Sequence, residues 1–269
     1  MKKYGISANK SLGQNFLIDE NVILDAIKES DIGKNDLVIE IGPGLGTFTN
    51  ELVKKAKKVI CVELDKRMIE ILHDRFKLFD NIEIINEDIL KIDIDKIIED
   101  NNELNVKVVG NLPYYITTPI IMKLLEGRAK FKSITVMVQK EVADRLCAKT
   151  GTRDAGAITY AVEYFAKARK LFTVPHTSFI PAPNVESEMI ILEVRDELND
   201  KVKDEEKLFK IIKYAFMQRR KTLLNALQNT EVCSDKTKLK EILEKLKIDE
   251  KVRGEALTLD EFIEISNLL

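Results

Sequence analysis

Short apolar runs recur along the first two thirds of the chain, each followed by a stretch in which apolar residues return three or four positions apart. The runs 38–41, 58–63, 82–86, 106–110 and 133–138 are rich in Val and Ile and end in polar or glycine-containing turns, as buried strands do. The stretches 48–57, 66–78 and 117–126 read as helices. A first helix starts near Asp19-Glu20-Asn21 and carries Val22, Ile23, Ala26 and Ile27. Residues 93–105 are polar and helix-like, and 139–148 form a further helix. This alternation predicts right-handed βαβ units, a parallel sheet and an α/β fold. Residues 163–174 and 188–194 read as two more strands, the second ending the sheet.

The pattern changes after an acidic stretch, residues 196–206, that lacks large aromatics. Leu208, Phe209, Ile211, Ile212, Ala215 and Phe216 form one helical stripe, and Leu239, Ile242, Leu243 and Leu246 another. Thr258-Leu259-Asp260-Glu261 is a capping-box start for a last helix. The expected division is therefore an α/β domain over 1–195 and a small all-helical domain over 196–269.

Composition narrows the classes. With 269 residues, 45% hydrophobic and 33% charged, the chain has the make-up of a globular protein, neither disordered nor membranous. No run reaches the ~18 apolar residues of a membrane span, and Met1-Lys2-Lys3-Tyr4-Gly5 lacks a signal-peptide core, so a cytoplasmic address is expected. Cys61, Cys147 and Cys233 form no C-x-x-C pair, and His73 and His176 have no partner at metal-ligand spacing; no metal is expected. A net charge of −2 excludes a chain basic throughout, so any nucleic-acid contact must come from a local patch. Arg219-Arg220-Lys221 offers one. These residues read either as ordinary solvated charge or as a phosphate clamp that Lys2, Lys3 and Lys10 extend.

The candidate chemistry sits at strand ends. Val38-Ile39-Glu40-Ile41 breaks into Gly42-Pro43-Gly44-Leu45-Gly46, after which a helix begins with free backbone N–H groups facing a ligand. The nicotinamide fingerprint G-x-G-x-x-G is not met, because Thr47 stands where its third glycine would fall. The E-x-G-x-G-x-G form points instead to S-adenosylmethionine. Glu63 ends the next strand, about 20 residues on, where a carboxylate accepts from both ribose hydroxyls. Asp88 follows the third strand and is placed to accept from an adenine amine. The fourth strand runs into Asn111-Leu112-Pro113-Tyr114. The Asn111 side-chain oxygen and the Leu112 carbonyl suit the two N–H groups of an aromatic amine, aiming its lone pair at an electrophilic methyl. Pro113 stiffens that turn, and Tyr114 offers a flat face to a flipped-out base. A strand-ending Asn-x-Pro turn with an aromatic cap is the bland alternative. Phe179, in a loop with three prolines, reads equally as a second aromatic face and as a buried anchor. The loop 149–156 reads equally as a substrate lid and as a plain connection. In the leader Lys10-Ser11-Leu12-Gly13-Gln14-Asn15-Phe16-Leu17, a hydrophobic staple accounts for Phe16 and Leu17 but not for Gln14 and Asn15.

Taken together, these stretches resemble the small-subunit ribosomal RNA adenine dimethyltransferases of the KsgA/RsmA type over nearly the whole chain. The matching segments are Gly13-Gln14-Asn15-Phe16-Leu17, Glu40-Ile41-Gly42-Pro43-Gly44-Leu45-Gly46, Glu63-Leu64-Asp65, Asn111-Leu112-Pro113-Tyr114, Gln139-Lys140-Glu141-Val142, Pro181-x-Pro183-x-Val185-x-Ser187 and Phe216-x-x-Arg219-Arg220-Lys221-Thr222. The resemblance implies a Rossmann-like class I S-adenosylmethionine-dependent methyltransferase domain followed by the helical domain. It implies transfer of two methyl groups to N6 of each of two adjacent adenines near the 3′ end of small-subunit rRNA. By the family pattern Asn15, Leu17, Gly42, Glu63, Asp88 and Asn111 contact the cofactor, and Gly44 belongs to the same turn. Tyr115 departs from members that carry Asn there. The implied partner is rRNA in a pre-30S particle, met by a monomer without metal or membrane. A 23S rRNA dimethyltransferase of the Erm type looks similar through the tyrosine motif; the proline loop and Arg219-Arg220-Lys221 favour the small-subunit family. An assembly factor that only binds rRNA, or a small-molecule methyltransferase, would use the same fold.

Overall fold

The structure is a computed structural model that describes residues 8–9, 13–101, 104–127, 130–233 and 235–269. Lys2, Lys3 and Lys10, named above as an extension of the basic patch, lie outside the described residues. The chain divides into two compact units, Met1–Ala143 with Lys167–Arg195 and Asp144–Ala166 with Asp196–Leu269. The second thus takes in residues 144–166 in addition to the expected 196–269.

The first unit begins with a two-residue strand β1 (Phe16–Leu17) and α1 (Glu20–Glu29). Then come β2 (Asp36–Ile41), α2 (Thr47–Lys55), β3 (Lys58–Glu63), α3 (Lys66–Phe76), β4 (Ile82–Asn86) and α4 (Ile94–Glu99). These are followed by β5 (Asn105–Asn111), α5 (Thr117–Glu126), β6 (Ser133–Gln139) and α6 (Lys140–Leu146). The later strands are β7 (Ala166–Val174), β8 (Phe179–Ile180) and β9 (Ser187–Val194). Local chemistry starts the helices: Asp19, Asp65 and Asp93 each accept a backbone N–H from the first turn of α1, α3 and α4, which satisfies a donor the helix cannot. All six residues of β2 are buried, as befits a central parallel strand covered on both faces.

The main sheet has the order β4-β3-β2-β5-β6-β9-β7. β2 pairs in parallel with β3 and β5, and the parallel ladder continues from β3 to β4 and from β5 to β6. The winding therefore reverses between β2 and β5, and a crevice opens at their carboxyl ends. Three expectations are corrected. The sheet is not wholly parallel, since β9 runs antiparallel to β6. Nor does β9 end it, for β7 lies at the edge. The polar stretch 93–105 is not helical throughout: among its described residues the helix α4 stops at Glu99, and Asn105 already belongs to β5. In addition, β1 pairs antiparallel with β8, matching Phe16 with Ile180 and Leu17 with Phe179.

The second unit contains α7 (Ala157–Phe165), α8 (Glu205–Met217), α9 (Leu223–Leu227), α10 (Lys236–Lys245) and α11 (Leu259–Leu268). Residues 163–165, read above as the start of a strand, end α7 instead. The misreading has a cause: Thr159, Tyr160, Ala161, Val162, Tyr164 and Phe165 are all buried, so this helix shows almost no polar face to betray its period. Tyr160 is fully buried; its hydroxyl donates to the Leu257 carbonyl at 2.5 Å, and its ring lies 5.3 Å from Phe216 and 5.2 Å from Phe262. That packing is why residues 144–166 belong with the helical unit. Thr258 and Glu261 form the expected capping box of α11.

Candidate active site

The glycine turn after β2 is built on positive backbone angles, with φ of +65° at Gly42, +54° at Gly44 and +78° at Gly46. At Gly46 a Cβ would come within 2.6 Å of the Phe76 ring, and at Gly44 within 3.2 Å of the Phe16 ring. The turn can therefore be this tight only without side chains. It forms one wall of a cleft, open to solvent, whose other walls come from the 13–17 leader, Glu63 and the Asn111-Leu112-Pro113-Tyr114 turn.

Glu63 ends β3 only 7% exposed. One carboxylate oxygen accepts the Gly44 N–H at 3.0 Å and the other the Asp65 N–H at 2.8 Å. Burial pushes this carboxyl upward, and the two backbone donors pull it back. Each oxygen keeps a further lone pair for a hydroxyl in the cleft. Glu40 is buried more deeply, accepts from the Thr49 hydroxyl at 2.6 Å and from the Cys61 thiol at 3.6 Å, and is pushed up to about 7 by burial.

The leader closes the other side. Asn111 Nδ2 donates to the Asn15 carbonyl at 2.9 Å, and the Thr47 hydroxyl donates to the Leu17 carbonyl at 3.3 Å. Gln14, which had no purpose in the sequence, donates through Nε2 to Asp65 Oδ2 at 3.0 Å and accepts the Asn9 N–H at 2.9 Å. Asp65 in turn is held below the usual carboxylate range by Arg67. In the Asn111 turn, the Pro113 carbonyl accepts the Ile116 N–H at 3.2 Å and the Thr117 hydroxyl at 3.1 Å. The Leu112 N–H donates to the Met137 carbonyl at 3.2 Å. Tyr114 is half-buried, whereas Tyr115 beside it is 57% exposed.

Of the candidate residues, Asn15, Leu17, Gly42, Gly44, Glu63, Asn111, Leu112, Pro113 and Tyr114 all line this one cleft. Asp88 does not; it follows β4, accepts the Leu90 N–H at 2.9 Å and lies outside the lining. Phe179 is the buried anchor of its two readings: 2% exposed, paired with Leu17 and packed in the core cluster, it presents no free face here. The basic triplet lies in the turn after α8 rather than on a helix. Arg219 is spent within its own unit, donating to the carbonyls of Arg153 and Ala155 and pairing with Glu255 at 3.1 Å, while Arg220 and Lys221 are exposed. Sequence reasoning missed the bond between Gln14 and Asp65, because the two are 51 positions apart; the only sign was that both belong to motifs whose other members, Asn15, Leu17 and Glu63, are assigned to the cofactor.

A mainly parallel sheet whose reversal point opens onto a glycine turn and the tips of two flanking strands is the class I, Rossmann-like methyltransferase architecture. The crystal structure of a dimethyladenosine transferase from Plasmodium falciparum is similar with a TM-score of 0.79, covering 93% of this chain and 95% of that one at 27% identity. The 23S rRNA methyltransferase ErmE shares the fold with a TM-score of 0.71, over 95% and 99% of the two chains at 21% identity. Within that class the chain belongs to the ribosomal RNA adenine dimethylase family, whose model matches residues 5–269. It is 46% identical over 270 residues to the ribosomal RNA small subunit methyltransferase A of Alkaliphilus oremlandii, covering 100% of this chain and 94% of that protein. The Clostridioides difficile protein of the same name is 47% identical, covering 100% and 93%. A methyl donor of the S-adenosylmethionine type goes with this family. Among the described residues no helix is long and apolar enough to cross a membrane, and no group of three or more potential ligands could hold a metal ion.

Proposed function

We propose that this chain methylates N6 of two adjacent adenines near the 3′ end of small-subunit rRNA, twice each, using S-adenosylmethionine and acting as a cytoplasmic monomer on a pre-30S particle. The observation that carries the reading is the bond from Asn111 Nδ2 to the Asn15 carbonyl. A carbonyl oxygen only accepts, so the amide must present its nitrogen there, and Oδ1 is left to accept an N–H from an exocyclic amine. Such an amine is a poor nucleophile because its lone pair is delocalised into the ring. Held by Asn111 Oδ1 and the Leu112 carbonyl, its nitrogen is turned with the lone pair out of the ring plane, and Tyr114 stacks on the base.

The cleft fits the cofactor. A buried carboxylate faces it, and Gly42 and Gly44 present bare backbone to it with no side chain in the way. Glu63 would hold the ribose, and Asn15, Leu17, Gly42 and Gly44 the remainder. When bound, S-adenosylmethionine supplies an electrophilic sulfonium methyl. The buried Phe16 and Leu17 of the leader give the cleft an apolar wall. Arg220 and Lys221 are the residues of the basic triplet proposed to meet RNA phosphates, since Arg219 is engaged elsewhere.

The test is transfer of labelled methyl to 30S particles lacking adenine dimethylation, with 23S rRNA in parallel and Asn111→Ala as control. Labelled N6,N6-dimethyladenine in 30S alone, lost by about 10²–10³-fold in the variant, is expected. Label in 23S rRNA, or binding to 30S without label, would refute it.

A further inference from the structure

Two motifs have no part in the site described so far, Gln139-Lys140-Glu141-Val142 and the proline loop ending in Ser187. They meet behind Tyr114. Gln139, the last residue of β6, is the register partner of Ser187, the first of β9. The Lys140 N–H donates to the Glu186 carbonyl at 3.1 Å, and the Lys140 ammonium pairs with the Glu186 carboxylate at 3.3 Å. The loop is thus stapled on both sides of the peptide that precedes Ser187. Ser187 itself is fully buried, and its Oγ lies 2.7 Å from the Tyr114 hydroxyl.

We propose that Ser187 is a positioning residue for methyl transfer: it grips the far end of the Tyr114 ring and sets the plane on which the target base stacks. This rests on the reading of Tyr114 as the stacking face. The backbone bonds to the Pro113 carbonyl fix where the Tyr114 side chain starts, but they leave both of its side-chain torsions free. A hydrogen bond at the phenolic end removes that freedom, so a base on an already bound particle meets a ring set in the plane from which transfer proceeds, a gain read in kcat rather than in KM for the particle. Because Ser187 is buried, its hydroxyl has no water to turn to and depends on a protein partner, which the Tyr114 hydroxyl supplies. The lysine staple and the β6/β9 register hold Ser187 in place, which gives the two motifs a common purpose.

The test compares Ser187→Ala, Ser187→Thr, Tyr114→Phe and the double variant Ser187→Ala/Tyr114→Phe. Transfer to hypomethylated 30S particles is measured per mole of protein competent to bind S-adenosylhomocysteine. Loss of one neutral hydrogen bond predicts a kcat lower by about two- to tenfold in Ser187→Ala and in Tyr114→Phe, with KM for the particle changed less. The double variant should be no worse than the poorer single one, because both remove the same bond. Ser187→Thr keeps a hydroxyl and should recover most of the rate. Independently of activity, the ring resonance of Tyr114 in protein carrying ¹³C-labelled tyrosine, assigned by its loss in Tyr114→Phe, should move in Ser187→Ala and return in Ser187→Thr. Losses that multiply in the double variant, a Thr variant as poor as Ala, or an unmoved Tyr114 resonance would overturn the proposal. Wild-type protein that labels no 30S particle would count against the proposed substrate, while the resonance comparison would still decide on Ser187.

Discussion

Replacing Glu40 with Gln removes a carboxyl that is 2% exposed and pushed by burial from its ordinary 4.5 up to about 7. In the unfolded chain the group ionises near 4.5; in the folded chain it holds its proton to about 7. Between those values the native state binds the extra proton, so this residue's contribution to stability is greatest below pH 4.5 and is lost as pH rises through 7. At about 1.4 kcal/mol per pH unit, moving wild-type protein from pH 5 to pH 8 costs about 2–3 kcal/mol at this one position. The amide of the Glu40→Gln variant does not titrate, and its oxygen can still accept from the Thr49 hydroxyl. The melting-temperature gap between variant and wild type should therefore move in the variant's favour by about 4–12 °C between pH 5 and pH 8. Thermal unfolding followed by circular dichroism at both pH values measures it. Using the difference between the two pH values cancels any packing change common to both. A gap that stays constant would refute the argument that Glu40 is buried as a proton-holding acid.

Glu63→Gln should weaken S-adenosylmethionine binding by about 10–100-fold in calorimetry, since one of two charge-assisted acceptors for a diol is lost. Gln14→Ala severs the leader from Asp65 and should raise the same Kd by about three- to tenfold with little change in melting temperature. Gly46→Ala forces a Cβ to within 2.6 Å of the Phe76 ring at a φ of +78°, and should lower stability by about 2–4 kcal/mol in urea unfolding. Arg220→Ala/Lys221→Ala should reduce the slope of log affinity against log salt for rRNA by about one to two, whereas removing charges that touch no phosphate would leave it unchanged.

The features legible along the chain are those made by neighbours in sequence. Strand runs announced β2 to β6 to within one or two residues: burial on both faces of β2, β3, β5 and β6 leaves apolar runs, and the edge strand β4 is marked by its isoleucines. Asp19 and Thr258 were recognisable as helix caps, because an N-cap bonds within its own first turn. The spacing from Glu40 through the glycines to Glu63 and on to Asn111 was legible too, since successive βα units return the chain to the same edge of the sheet. What tertiary structure alone decided is what each side chain touches there. Phe179 is buried as an anchor because its side chain packs into the core cluster. Arg219 ties the turn after α8 to the Arg153 and Ala155 carbonyls and to Glu255, contacts no local pattern announced. Gln14 bonds across 51 positions to Asp65, and Tyr114 across 73 to Ser187. Periodicity reports which face of an element is covered, but strand register and loop closure choose the residue that covers it, and those are settled only when the whole sheet is assembled.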